Sequence, residues 1–190
     1  MSDSGKHPST SYASINILIV DDNLANLEAF ESVIRPLGYT TFLVDSGRKA
    51  LELANYYRFS AILLDVRMPL MNGPQTAVQL RQTPYGRTTP IIFVSAYEES
   101  HLLVSRSGVE GFVSFVYSPV DPDVLTWKVQ SWVEVSVRME MCRRQTAKVR
   151  EAQEELQKIL GRSLIPEAAA RQANARLATA IRLLTQSVAD

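Results

Sequence analysis

Asp21 and Asp22 follow the apolar run INILIV, Asp65 ends SAILLD, Ser95 ends PIIFVS, and Ser118 follows GFVSFVY. Isolated carboxylates at the ends of buried runs are costly. Three that converge repel one another unless a divalent cation joins them. Magnesium suits such a set: it takes oxygen ligands, keeps several waters and accepts a phosphate oxygen as a further ligand. A plainer account covers Asp21 and Asp22 alone, with one capping the helix that begins near Leu24 and the other solvated. That account weakens once Asp65 ends a neighbouring strand. Ser118 adds a puzzle, because converging carboxylates call for a cation and its hydroxyl brings no charge.

The elements that must position these residues are legible as short apolar runs alternating with helical periods. INILIV (15–20), YTTFLV, SAILLD, PIIFVS and GFVSFVY are brief, rich in β-branched residues and read as buried strands. Between them, NLEAFESVIRPLG places Leu24, Leu27, Ala29, Phe30, Val33, Ile34 and Leu37 near one helical face and stops at Gly38. GRKALELANYY, GPQTAVQLRQ and the weaker EESHLLVSRSG follow, and DPDVLTWKVQSWVEV begins a fifth helix. Alternation of this kind predicts an α/β fold, a doubly wound five-stranded parallel sheet with right-handed crossovers and helices on both faces. Ligands of such sheets sit at the carboxyl ends of the strands, where strand order reverses. Asp21, Asp22, Asp65, Ser95 and Ser118 all stand at those ends.

The fifth helical pattern does not stop where a covering helix should. Leu125, Val129, Trp132, Val135, Met139, Cys142, Val149, Leu156 and Leu160 recur at spacings of three, four or seven, before Gly161 and Pro166 break the run. A helix from Asp123 to Leu160 would be roughly 57 Å long. A second pattern follows at Ala173, Leu177, Ile181, Leu184 and Val188. The expected organisation is a flexible leader over 1–14, a domain over 15–136 and a helical extension over 137–190. The extension comprises a long helix to about 160, a break at 161–166 and a second helix over 167–188, either a hairpin or a stalk with a second helix. Trp127 and Trp132 are placed to pack on the domain, whereas Met139 to Leu160 has no evident partner within it. A homodimer through this helix is the expectation.

Twenty Lys and Arg balance twenty Asp and Glu, so no net field favours nucleic acid or an anionic membrane. No apolar run approaches the roughly 20 residues that cross a bilayer, and the polar N-terminus lacks the apolar centre of a signal peptide. Cys142 is the single cysteine, which fits a reducing compartment. A cytoplasmic protein follows by default, with neither nucleic acid nor membrane as a partner. The basic run Arg143, Arg144, Lys148 and Arg150 lies among Glu140, Glu151, Glu154 and Glu155, as on a solvated helix face.

ILIVDDN, ILLDVRMPLMNG, FVSAY and SPVDP, in this order and at these spacings, resemble the bacterial response-regulator receiver domain, a flavodoxin-like fold, over roughly Ile15 to Ser136. The resemblance implies that Asp65 is the phosphoacceptor and Asp22 a direct magnesium ligand. Asp21 is then the second acidic residue of the pocket, and the Arg67 backbone carbonyl a further ligand. It makes Ser95 the hydroxyl that moves to bond the phosphoryl group, beside the small Ala96. Met68, Pro69 and Gly73 match the loop after the acceptor strand. A histidine kinase is the implied phosphodonor and Mg2+ the implied cofactor. Phe115 falls where the family has an aromatic residue coupled to the hydroxyl, although a core position on the fifth strand explains it equally well. Arg67 and Tyr97 occupy positions that tune access of water to the phosphoaspartate, and their bulk predicts a long-lived phosphoryl group.

Ser118 departs from the family, which has Lys at this position to pair with the acceptor and its phosphate. Two expectations follow: a phosphorylated domain that switches weakly, favoured by the complete Asp21, Asp22, Asp65 and Ser95 set, or a phosphorylation-independent docking or dimerisation scaffold. In either case the chain is a signalling module rather than an enzyme. An aspartate-nucleophile phosphatase would need a second Asp two positions after the nucleophile, where Arg67 stands. No phosphate-binding G-x-x-x-x-G-K-[ST] or G-x-G-x-x-G motif is present. Neither His7 nor His101 lies on the tail, so it lacks the histidine of a phosphotransfer hairpin.

Overall fold

The computed structural model describes residues 15–96 and 100–162, together with helical positions 172, 175–176 and 178–179. The leader (1–14), Tyr97 and most of the expected second helix (167–188) lie outside the described residues.

Five strands, β1 (Asn16–Val20), β2 (Thr40–Val44), β3 (Ala61–Asp65), β4 (Ile91–Ser95) and β5 (Val113–Tyr117), alternate with five helices. The helices are α1 (Leu24–Ile34), α2 (Gly47–Tyr56), α3 (Gly73–Leu80), α4 (Ser100–Arg106) and α5 (Pro122–Arg162). The sheet is parallel throughout, in the order β2-β1-β3-β4-β5. The chain therefore moves outward from β1 to β2, then reverses through β3. The reversal lies between β1 and β3, the two strands that end in Asp21 and Asp65.

Side chains alternate across the sheet with the period of two that strands impose. Leu18, Val20, Ile62, Leu64 and Phe93 pack on one face with Ala50, Ala54, Ala77, Leu80 and Val104 of α2, α3 and α4. Ile17, Ile19, Leu63 and Ile92 pack on the other with Leu27, Phe30 and Ile34 of α1 and Leu125, Val129 and Val133 of α5. Each such side chain taken from water contributes about 1.5–3 kcal/mol, so β1, β3 and β4, covered on both faces, form the firmest part of the sheet. Helix α1 ends at Ile34, a short tight turn carries Arg35 to Leu37, and Gly38 closes it at φ 79°. Leu24 and Ala29 face solvent rather than the expected core.

Arg81, in the turn after α3, donates to the carbonyls of Gly86, Thr89, Glu110 and Phe112. It thereby ties the α3–β4 connection to the turn before β5, and burial pushes its pKa down.

Helix α5 runs through Gly161 to Arg162, so that glycine does not end it. Its start is capped by Asp121, whose Oδ1 accepts from the backbone of Asp123 at 2.8 Å. Trp132 packs on the core and meets Phe112 edge-on at 5.7 Å, whereas Trp127 is 65% exposed, against expectation. The chain divides into two compact units, Met1–Glu140 and Met141–Asp190, four residues beyond the expected boundary. Glu140 stays with the first unit through an ion pair to Arg58 at 3.1 Å, and that guanidinium also lies 4.5 Å over the Tyr85 ring. In the second unit every residue from Met141 to Lys158 is exposed. No described helix is long and apolar enough to cross a membrane.

Candidate functional site

Asp21 leaves β1 with its N–H bonded to the Val44 carbonyl at 3.2 Å, which fixes its backbone against β2. Its side chain is 2% exposed. Oδ1 accepts from the Asn23 N–H at 2.9 Å, and the Asn26 side-chain amide donates to both oxygens, at 3.2 and 3.0 Å. Burial raises the Asp21 pKa, these donors oppose the rise, and the neighbouring Asp22 charge adds to it. The cap of α1 is Asn23, whose side chain accepts from the Ala25 N–H at 3.0 Å, so neither Asp21 nor Asp22 serves as the cap.

Asp65 ends β3 with its Oδ2 accepting the Arg67 N–H at 2.9 Å. Burial, joined by the negative charges of Asp21 and Asp22, pushes its pKa up from 3.8 to about 6, against the Arg67 and Val66 N–H groups. Carboxylates interact so strongly only when they share a site. The Asp21 and Asp22 charges thus reach Asp65 and raise its pKa, as a smaller contribution than burial.

The loop after β3 holds Asp65 from outside. Asn72 caps α3 in a reciprocal box with Gln75: its side chain accepts from the Gln75 backbone at 2.9 Å and the Gln75 side chain accepts from the Asn72 N–H at 3.1 Å. The cap swings Gly73 so close to the strand end that a Cβ there would lie 2.2 Å from the Asp65 carbonyl oxygen. Only glycine allows that approach.

Ser95 is buried at the end of β4, and its carbonyl accepts the Ser118 N–H at 2.8 Å. Ser118 precedes a cis bond to Pro119 and is exposed. Phe115 is only part-buried and stacks between Phe93 at 5.6 Å and Tyr117 at 6.4 Å. Lys128 donates to the Ser114 hydroxyl at 3.0 Å, and the Arg81 guanidinium donates to backbone carbonyls.

Among the described residues no three Asp, Glu, His or Cys side chains are grouped so as to hold an ion by themselves. The Asp21 oxygens are engaged by the Asn26 amide and the Asn23 N–H. The remaining donor set of the exposed Asp22, the half-buried Asp65 and the Arg67 carbonyl is all oxygen and incomplete. That fits magnesium, which keeps several waters and seldom takes an all-protein cage. Asn26 was missed in the sequence, where a polar residue in a first helical turn reads as solvated. Its one signal is its place five residues after Asp21, on the helix that Asn23 starts.

Residues 17–130 match the response regulator receiver domain family, and the chain belongs to it. BarA, a signal transduction histidine-protein kinase of Shigella flexneri, is 36% identical over 111 residues, 58% of this chain but 12% of that one. The polar-differentiation response regulator DivK of Brucella anthropi is 30% identical over 101 residues, 52% of this chain and 82% of DivK. This chain thus spans a small part of the kinase and most of the regulator. Among solved structures, the receiver domain of the sensor histidine kinase PA1611 from Pseudomonas aeruginosa has 30% identity and a TM-score of 0.58, covering 64% of this chain and 99% of that one. That structure holds a magnesium ion coordinated in its active-site cleft. The chemotaxis protein CheY4 of Vibrio cholerae has 26% identity and a TM-score of 0.57, covering 63% of this chain and 98% of its own. The doubly wound receiver fold and the membership of two-component signalling are thereby established, and receivers are signalling modules.

Proposed function

We propose that this receiver takes a phosphoryl group onto Asp65 from a phosphohistidine of a partner histidine kinase and passes the change on through α5. The observation that carries the reading is placement: Asp21, Asp22 and Asp65 stand at the carboxyl ends of β1 and β3, the pair between which strand order reverses. With its pKa near 6, Asp65 is mostly ionised at neutral pH and able to act as a nucleophile.

An Asp65 oxygen attacks phosphorus, the bond to the kinase imidazole breaks, and an acyl phosphate replaces the carboxylate. Asp22, Asp65 and the Arg67 carbonyl are the residues that would hold Mg2+, which supplies neutralisation of charge on the entering and leaving oxygens. Asp21, fixed by Asn26 and Asn23, orients water and charge beside them. The Ser95 hydroxyl donates to the new phosphoryl oxygen, with Ala96 leaving room. The chain modifies itself once per cycle and is not a turnover enzyme. A cytoplasmic setting goes with this reading, because Cys142 is exposed and free.

Ser118 favours one alternative, a phosphorylation-independent docking scaffold. Incubation of the whole chain with acetyl phosphate and Mg2+ separates the two. The receiver gains the mass of one phosphoryl group, lost in Asp65→Asn or with chelator. No gain at any donor concentration supports the scaffold.

A further inference from the structure

Helices α1 and α3 each follow a strand whose carboxyl end carries an aspartate, and each opens on an asparagine cap. The third residue of the two helices does different work. In α3 it is Gln75, whose side chain turns back and accepts from the N–H of its own cap, Asn72, at 3.1 Å. In α1 the same place is held by Asn26, whose carboxamide donates instead to both oxygens of Asp21, at 3.2 and 3.0 Å. The cap itself joins in, since the Asn23 N–H donates to Asp21 Oδ1 at 2.9 Å. The box that closes α3 is thus given up in α1 in favour of a carboxylate outside the helix. Starting a helix does not require that.

Asp21 is 2% exposed, so its charge depends on donors from the protein. Asn26 and Asn23 fill three of the roughly four acceptor places of a carboxylate. Asp21 therefore has at most one place left for anything else, too few to grip an ion with both oxygens. The kind of donor matters as well. A lysine or arginine would supply hydrogen bonds and cancel the negative charge, whereas a carboxamide donates and carries none. Asn26 holds the Asp21 charge without neutralising it. Asp22, the next residue, is exposed. Two identical side chains, adjacent in the chain, are thereby made unlike.

We propose that Asn26 is a positioning residue for the divalent cation. By engaging both Asp21 oxygens it keeps that carboxylate as an outer anion, which meets the ion through a water that the ion retains. Direct ligation at this strand end is left to Asp22. The proposal rests on the reading of Asp22, Asp65 and the Arg67 carbonyl as the donors to Mg2+, and it names the residue that divides the work between the two aspartates.

The test uses the full chain and Mg2+ alone, with affinity read from the amide NMR shifts of Asp22 and Arg67. Asn26→Leu removes the donor at similar size and should weaken Mg2+ binding about tenfold or more, as loss of an outer partner of a metal site does. Asn26→Gln keeps the carboxamide and should recover most of that loss. In an Asp21→Asn background, Asn26→Leu should cost nothing further, because its effect passes through Asp21. Urea midpoints report folding separately, and Asn26→Ala takes the place of Asn26→Leu if the leucine does not fold. Wild-type affinity in the folded variant, equal weakening by Gln and Leu, or losses that add in the double variant would overturn the inference. So would a wild type that binds no Mg2+. Phosphoryl gain at Asp65 from acetyl phosphate, measured in parallel, reads out separately: its absence beside the expected order of Mg2+ affinities counts against phosphotransfer alone.

Discussion

The backbone N–H of Ser118 donates to the Ser95 carbonyl at 2.8 Å, which anchors the residue after β5 to the end of β4. On the proposed reading, Ser118 stands where the family has a charged lysine. Ser118 is also exposed, leaving room for a longer side chain.

Ser118→Lys should therefore fold normally and strengthen the response. A hydrogen bond to a charged group contributes about 1.5–3 kcal/mol, which corresponds to about 10- to 100-fold in the bias toward the phosphorylated conformation. Beryllofluoride titration with Mg2+, followed by NMR shifts of Ser95 and Phe115, measures this. An unchanged titration would show that the site has found its charge elsewhere.

Asp65 also makes stability depend on pH. Its folded pKa of about 6 lies above the ordinary 3.8, so between those values the folded state binds the proton more strongly than the unfolded chain. Without metal, the Asp65 contribution to stability is fully present below about pH 4 and is lost as pH rises through about 6, by up to about 3 kcal/mol. Asp21, raised by burial, acts in the same direction. Urea midpoints at about pH 5 and about pH 7 should differ in the wild type and differ much less in Asp65→Asn. Equal slopes in the two proteins would remove Asp65 as the source.

Gly73→Ala tests the loop that holds the acceptor. Its Cβ would meet the Asp65 carbonyl oxygen at 2.2 Å and the Val66 Cα at 3.0 Å, both backbone atoms that cannot turn aside. We expect a loss of about 1–3 kcal/mol of stability, together with at least tenfold slower phosphorylation by acetyl phosphate. Wild-type kinetics in this variant would show that α3 yields without disturbing Asp65.

We propose that Arg67 and Tyr97 tune the lifetime of the phosphoryl group. Arg67 is exposed beside the acceptor and its N–H bonds Asp65. Radiolabel on Asp65 should persist for minutes or longer in magnesium buffer and decay faster in Arg67→Ala with Tyr97→Ala. Decay within seconds in the wild type would contradict this.

Much of the molecule was legible because parallel strands buried on both faces must be short, apolar and β-branched. INILIV and SAILL announce themselves in that way, and each is followed directly by an aspartate at the carboxyl end of its strand. What escaped was carried by side chains that look ordinary in one dimension. Asn26 reads as solvent-facing polarity, yet both oxygens of Asp21 rest on it. Arg81 reads as a surface charge, yet it gathers four backbone carbonyls. Trp127 reads as core from its apolar bulk, yet it stands on the outer side of α5. Gly161 reads as a stop, yet α5 includes it, because the cost of about 1 kcal/mol for glycine within a helix is easily outweighed.

Covalent mapping of the acceptor tests the central claim most directly. Borohydride reduces an aspartyl phosphate to homoserine, leaving a stable mark at the modified residue. After exposure of the full chain to acetyl phosphate and Mg2+, peptide sequencing by mass spectrometry should find homoserine at position 65 alone, and none when the metal is chelated. Homoserine at Asp21 or Asp22, or none under any condition, would contradict the account.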